Sequence, residues 1–176
     1  ISQQKNLRTV LTSQEHLNTK ELTVLNYILG SVPHYLEYEK VIKEYEEGIH
    51  ANHDHFSDAV EYFSNNSYWQ IKDLIIETLS SFQLSADHAI APLSTLSGGE
   101  KRFVELTRMM YSQADLLLID EPTNHMDYIG KERFISWLDS VKQGCLVVTH
   151  DRDVLGHVNR ILELKDNKLY SYPGNY

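Results

Sequence analysis

Apolar residues recur at helical spacing through the first half of the chain and gather into short continuous runs in the second. Leu22, Leu25 and Ile28 predict a helix over Thr19 to Ser31. Tyr35 to Gly48 predicts another, rich in Glu, Lys and Tyr, and His55 to Phe63 a third. Trp69 to Leu84 predicts a fourth, with Ile71, Leu74, Ile75 and Leu79 along one face. Pro33 and Asn65-Asn66-Ser67 mark breaks. From Leu96 the texture changes. A helix from Gly99 to Tyr111 leads into an apolar strand, Leu116 to Ile119. A helix from Ile129 to Val141 leads through Gly144 into a second strand, Cys145 to Thr149. Strand, helix, strand predicts a parallel pair. The unbroken apolar character of both strands predicts cover on both faces. Ile161 to Leu164 and Lys168 to Tyr172 predict two closing strands joined by the turn Asp166-Asn167.

The pattern predicts an α/β fold with parallel strands flanked by helices, plus an α-helical subdomain. Its expected division is residues 1–95 and residues 96–176. At 176 residues and 41% hydrophobic, the chain can bury a core. A net charge of -9 argues against a basic nucleic-acid binder as a whole. The single cysteine, Cys145, excludes an internal disulfide and fits a reducing compartment. No apolar run approaches the roughly 20 residues that span a bilayer. No signal-peptide pattern opens the chain, which begins at Ile1.

Several short motifs carry chemistry. Ser97-Gly98-Gly99-Glu100 reads as a capping box, so a helix starts there. Its N-terminus offers free backbone N–H groups to a phosphate, and two glycines allow close approach. By itself this is equally an ordinary capped helix. The strand Leu116–Ile119 ends in Asp120-Glu121, where ligands of open α/β sheets bind. Asp120 is placed to orient Mg²⁺ and Glu121 to act as a general base toward water. Out of context, such a pair is more often two solvated acids. His150 ends the neighbouring strand. His50, His53, Asp54 and His55 cluster without the spacing of a structural zinc site, so a solvated loop is the expected reading.

In this order, Leu96-Ser97-Gly98-Gly99-Glu100, Leu116–Glu121, Pro122-Thr123-Asn124-His125-Met126-Asp127 and Val147-Val148-Thr149-His150-Asp151 resemble four motifs of the ATP-binding cassette (ABC) ATPases. These are the signature, Walker B, D-loop and switch histidine. The resemblance implies that Ser97, Gly98, Gly99 and Glu100 bind the γ-phosphate of ATP held by a facing cassette. It implies that Asp120 holds Mg²⁺, that Glu121 and His150 are catalytic, and that Asp127 couples two cassettes. Ile1-Ser2-Gln3-Gln4 resembles the end of the Q-loop strand. Gln3 is the better match for the glutamine that contacts Mg²⁺ and water, with Gln4 next to it.

A P-loop needs Gly-x-x-x-x-Gly-Lys-Ser/Thr to cradle phosphates. The chain has none, since Gly130-Lys131 is followed by Glu132. It is therefore expected to be the C-terminal portion of a cassette of the P-loop NTPase class, beginning after Walker A and inactive by itself. Asn124-His125-Met126-Asp127, Glu100-Lys101-Arg102, the long stretch from Gln3 to Leu96 and the ending Tyr172-Pro173-Gly174-Asn175-Tyr176 resemble the ABC-F family. That family comprises cytoplasmic tandem-cassette ATPases, some tuning translation and some protecting ribosomes from antibiotics. The resemblance implies ATP and Mg²⁺, a second cassette in the same polypeptide, a ribosomal partner with its rRNA and tRNA, and no membrane insertion. The alternative is the nucleotide-binding subunit of a membrane transporter. A third reading is a non-catalytic partner that contributes signature surface only.

Overall fold

The computed structural model describes residues 7–12, 22–49, 52–124 and 126–175. In chain order the elements are β1 (Thr9–Leu11), α1 (Val24–Leu29), α2 (Tyr35–Glu46), α3 (His53–Asn65), α4 (Ile71–Ser81) and α5 (Ala86–Ile90). They continue with α6 (Gly98–Tyr111), β2 (Leu116–Asp120), α7 (Tyr128–Ser140), β3 (Gly144–Val148), α8 (Arg152–Leu155), β4 (Arg160–Lys165) and β5 (Lys168–Pro173). Short 3-10 turns at Tyr68–Gln70 and Leu93–Thr95 precede α4 and α6.

β2 is the central strand of a three-stranded parallel sheet ordered β1-β2-β3. The expected parallel pair is β2 and β3, with Leu117 opposite Cys145 and Asp120 opposite Val148. The first of the three, β1, lies where the sequence pattern suggests only helices. Thr9-Val10-Leu11 is too short for its alternation to stand out, and it owes its place to β2. Arg8 accepts the backbone N–H groups of Asp115 and Leu116, Asp115 Oδ2 accepts that of Arg8, and the Thr12 N–H donates to the Leu118 carbonyl at 2.9 Å.

The expectation of cover on both faces is corrected. Leu117 and Ile119 are buried, but Leu116 and Leu118 are only half-buried. In β3, Cys145 and Val147 are half-buried while Leu146 and Val148 are exposed. Among the described residues β3 is an edge strand, so its apolar run exceeds what this chain covers. β4 and β5 form the expected hairpin, antiparallel from Arg160–Pro173 to Lys165–Lys168. Asp166 and Asn167 both take positive φ, 51° and 58°, as a tight two-residue hairpin turn requires.

The helices follow the expected order with shifted ends. α1 starts late because the Thr23 hydroxyl accepts the Asn26 N–H and caps the helix there. α3 starts early because the Asn52 side chain accepts the His55 N–H. In α4 the core column is Ile71, Ile75 and Leu79; Leu74, expected beside them, is exposed. The column is set by strict i, i+4 spacing, and position 74 rotates away from it. α2 and α3 join through aromatic rings, Tyr35 on Phe63 at 5.1 Å and Tyr38 on Tyr62 at 4.7 Å. α6 packs on α1 and α4, with Phe103 stacked on Phe82 at 4.7 Å. Val24, Ile28, Ile75, Leu79, Val104, Leu117 and Phe134 all belong to one core, which draws on residues from both sides of position 95.

Candidate active site

The site begins at the C-terminal end of β2. The Asp120 N–H donates to Thr12 Oγ1 at 3.0 Å, so the end of β1 holds the backbone of the first acid. One residue later the Glu121 N–H donates to the Val148 carbonyl at 2.8 Å, and the backbone then turns to φ 43°. A non-glycine residue in this region costs on the order of 1 kcal/mol and persists only where the surroundings impose it. The turn lifts Glu121 off the strand and onto the end of β3. There His150 Nδ1 lies 3.0 Å from Glu121 Oε1 and 2.9 Å from Oε2. Nδ1 thus lies within hydrogen-bond reach of both carboxylate oxygens, and its one proton is shared between them. The carboxylate raises the His150 pKa from its ordinary value, through this bond first and through charge second. His150 is otherwise exposed, so its far nitrogen, Nε2, faces outward.

A second set of contacts fixes the loops around this pair. Lys131 Nζ, in the first turn of α7, lies 2.6 Å from Asp151 Oδ2, next in sequence to His150. That bond holds the Asp151 carboxyl below the ordinary carboxylate range, with the Asp153 backbone and the Thr123 side chain adding to it. Asp151 also caps α8 through the Asp153 N–H at 3.1 Å. One carboxylate thus ties the loop after β2, the start of α7 and the loop after β3. Asp127 Oδ1 accepts the Gly130 N–H at 2.7 Å and is the N-cap of α7.

The helix start at Ser97 forms as expected. Glu100 donates its N–H to Ser97 Oγ at 3.3 Å, and Ser97 donates its own to Glu100 Oε2 at 2.7 Å. Hydrogen bonds to the carboxyl from the Ser97 side chain and the Ser97 backbone N–H, then His88 at 3.5 Å, keep Glu100 below its usual range. Ser97 and Gly98 are exposed, and a Cβ built on Gly98 meets nothing within 4 Å. The approach to the Gly98 end of α6 is therefore open, while the capping box takes the N–H groups of Ser97 and Glu100.

The structure brings Asp120, Glu121 and His150 together at adjacent strand ends. It places Ser97–Glu100 at the start of α6, in the helical layer with α1 and α4. Gln3, His125 and His50 lie outside the described residues. Thr12, Lys131 and Asp151 were missed as site residues. The signal for Thr12 was a β-branched run, Thr9-Val10, ending beside a hydroxyl; Lys131 and Asp151 meet only through the fold. Asp120 and Glu121 are hard oxygen donors at a strand end, the donor type a divalent cation takes, while among the described residues no three metal-ligating side chains converge. Among the described residues no helix is long and apolar enough to cross a membrane.

Comparison with known proteins agrees with this geometry. The family model described as ABC transporter matches residues 2–124. An uncharacterized ABC transporter ATP-binding protein of Bacillus subtilis, YfmR, is 34% identical over 170 residues, covering 94% of this chain and 25% of that protein. The energy-dependent translational throttle protein EttA of Mycobacterium tuberculosis is 34% identical over 174 residues, covering 85% of this chain and 30% of that protein. Elongation factor 3 of Candida albicans is 34% identical over 105 residues, 59% of this chain and 10% of that protein. The chain thus spans less than a third of these relatives. A solved dimeric bacterial ABC transporter cassette superposes with a TM-score of 0.63 at 22% identity, covering 95% of this chain and 63% of that one, which establishes the fold. The chain belongs to the ABC transporter family of ATP-binding cassettes, with ABC-F proteins among its relatives.

Proposed function

We propose that the chain is the signature, Walker B and switch part of an ATP-hydrolysing cassette in a cytoplasmic ABC-F protein that acts on the ribosome. The observation that carries the hydrolytic reading is the Glu121–His150 pair at the ends of adjacent parallel strands. The Glu121 carboxylate, held by His150 Nδ1 and with acceptor lone pairs to spare, is suited to take a proton from a water aimed at the γ-phosphate. His150 Nδ1 fixes that carboxylate, leaving Nε2 as the nitrogen that faces a phosphate oxygen. Mg²⁺, held by Asp120, would neutralise charge on the phosphate oxygens. Ser97, Gly98, Gly99 and Glu100 form the open start of α6, which would meet the ATP of a second cassette in the same polypeptide. Asp127, at the exposed start of α7, lies on that same coupling route.

For the glutamine that contacts Mg²⁺ and water, we assign Gln14 in place of Gln3. β1 is the hydrogen-bonded neighbour of β2 and ends at Leu11, Thr12 accepts the Asp120 N–H, and Gln14 follows two residues later in the sequence. The ribosomal reading is supported by the names of the relatives, a translational throttle protein and an elongation factor. Those names favour a partner in translation over a membrane subunit. The test is co-sedimentation of the intact protein with ribosomes in non-hydrolysable ATP. ATP-dependent binding is expected; equal recovery with and without nucleotide would refute the ribosomal part.

A further inference from the structure

The most deeply buried charge in the described structure lies outside the site. Glu105, in α6, is 1% exposed. Arg108 holds it with Nε on Oε2 at 3.0 Å and Nη2 on Oε1 at 2.8 Å, and the Tyr27 hydroxyl donates to Oε2 at 2.6 Å. A buried pair of this kind adds little net stability against apolar replacements. What it does provide is a fixed orientation for the guanidinium. Nη2 of Arg108 also donates to the carbonyl of Leu11, the last residue of β1, at 3.1 Å. The next residue, Thr12, gives its N–H to Leu118 and accepts the N–H of Asp120 on its hydroxyl. An unbroken series of bonds therefore runs from the helix that begins at the signature to the backbone of the magnesium-binding acid.

We infer that Arg108, clamped by Glu105, is a positioning residue. It sets the end of β1, and through Thr12 the end of β2, in register with the signature helix. A shift of α6 when a facing cassette engages Ser97–Glu100 would thereby reach Asp120. This rests on the ATP-hydrolysing reading above, and it adds how the two ends of the chain communicate. Arg108 is suited to this because one planar fork serves both Glu105 oxygens and the Leu11 carbonyl. A lysine ammonium can keep the charge against Glu105 but cannot reproduce that fork.

The test uses the intact protein with Arg108→Lys and, independently, Thr12→Val, which removes the hydroxyl without touching Glu105. Amide exchange is measured without nucleotide in peptides spanning Thr12 and Asp120, with α4 as the control for global folding. Exchange at these amides is expected to rise about tenfold, the scale of one lost hydrogen bond, while α4 stays protected. The Mg²⁺ concentration that half-saturates ATP binding is expected to rise about tenfold in both variants, as for residues that orient a metal ligand. Unchanged exchange in Arg108→Lys would overturn the clamp. Raised exchange with an unchanged Mg²⁺ requirement would overturn the positioning role. An unsubstituted protein with no Mg²⁺-dependent ATP binding would refute the ATPase reading instead, and exchange alone would then decide whether Arg108 holds Asp120.

Discussion

Tyr27→Phe is the sharpest probe of the buried charge in α6. It removes one hydroxyl and keeps the ring, so the Arg108 guanidinium still sits 5.7 Å from the ring centroid. Burial first, and the Glu105 carboxylate second, push the Tyr27 phenol above its ordinary pKa range. The hydroxyl therefore keeps its proton and donates it across 2.6 Å to Glu105 Oε2. A hydrogen bond to a charged group is worth about 1.5–3 kcal/mol. Because Arg108 still holds both oxygens, the expected loss lies near the lower end, about 2 kcal/mol. With a urea slope of about 2 kcal/mol/M for a chain of this size, the unfolding midpoint should fall by about 1 M. The same change in a Glu105→Gln background should cost less, because the acceptor is then neutral. A midpoint unchanged by Tyr27→Phe in the parent background, or an equal loss in both backgrounds, would refute an ionised, shared Glu105.

Three other outcomes follow from the site. His150 should titrate above an ordinary histidine, and its pairing with Glu121 should favour the folded state at low pH and fade as pH rises through that raised value; proton NMR of the imidazole, which should move down in Glu121→Gln, checks this. Gly98→Ala should leave melting unchanged or slightly raised, since the methyl meets nothing, yet lower ATP turnover of the intact protein by covering the α6 amides; full turnover would contradict the phosphate-facing role. Metal analysis of chelator-free protein should find no stoichiometric Zn²⁺ or Ni²⁺ lost on changing His50, His53 and His55 to alanine, because their spacing closes no tetrahedral set.

Much of the α/β half was legible because its signals are local. The capping box predicts the start of α6, and it forms through Ser97 and Glu100 with a one-residue shift in boundary. The apolar runs predict β2 and β3 and their parallel pairing. Burial was less legible: Leu146 and Val148 are as apolar as Leu117 but lie on a strand with no outer neighbour among the described residues. β1 was invisible because three residues carry no period, and its identity comes from Leu116, Leu117 and Leu118 across the ladder. Within the site, carboxylates and histidine were readable from their motifs. The left-handed turn at Glu121 and the Lys131–Asp151 bond were not, because each depends on partners brought in by the fold.

The central claim is that Glu121 is the base that activates water for ATP hydrolysis. Glu121→Gln in the intact protein keeps the size of the side chain and its bond to His150 but cannot take up the proton. Single-turnover hydrolysis and ATP retention, measured on the same samples, test it most directly. The account predicts ATP bound as tightly as in the parent protein and hydrolysis slower by roughly 10²-fold or more. Hydrolysis at the parent rate with ATP bound would contradict it.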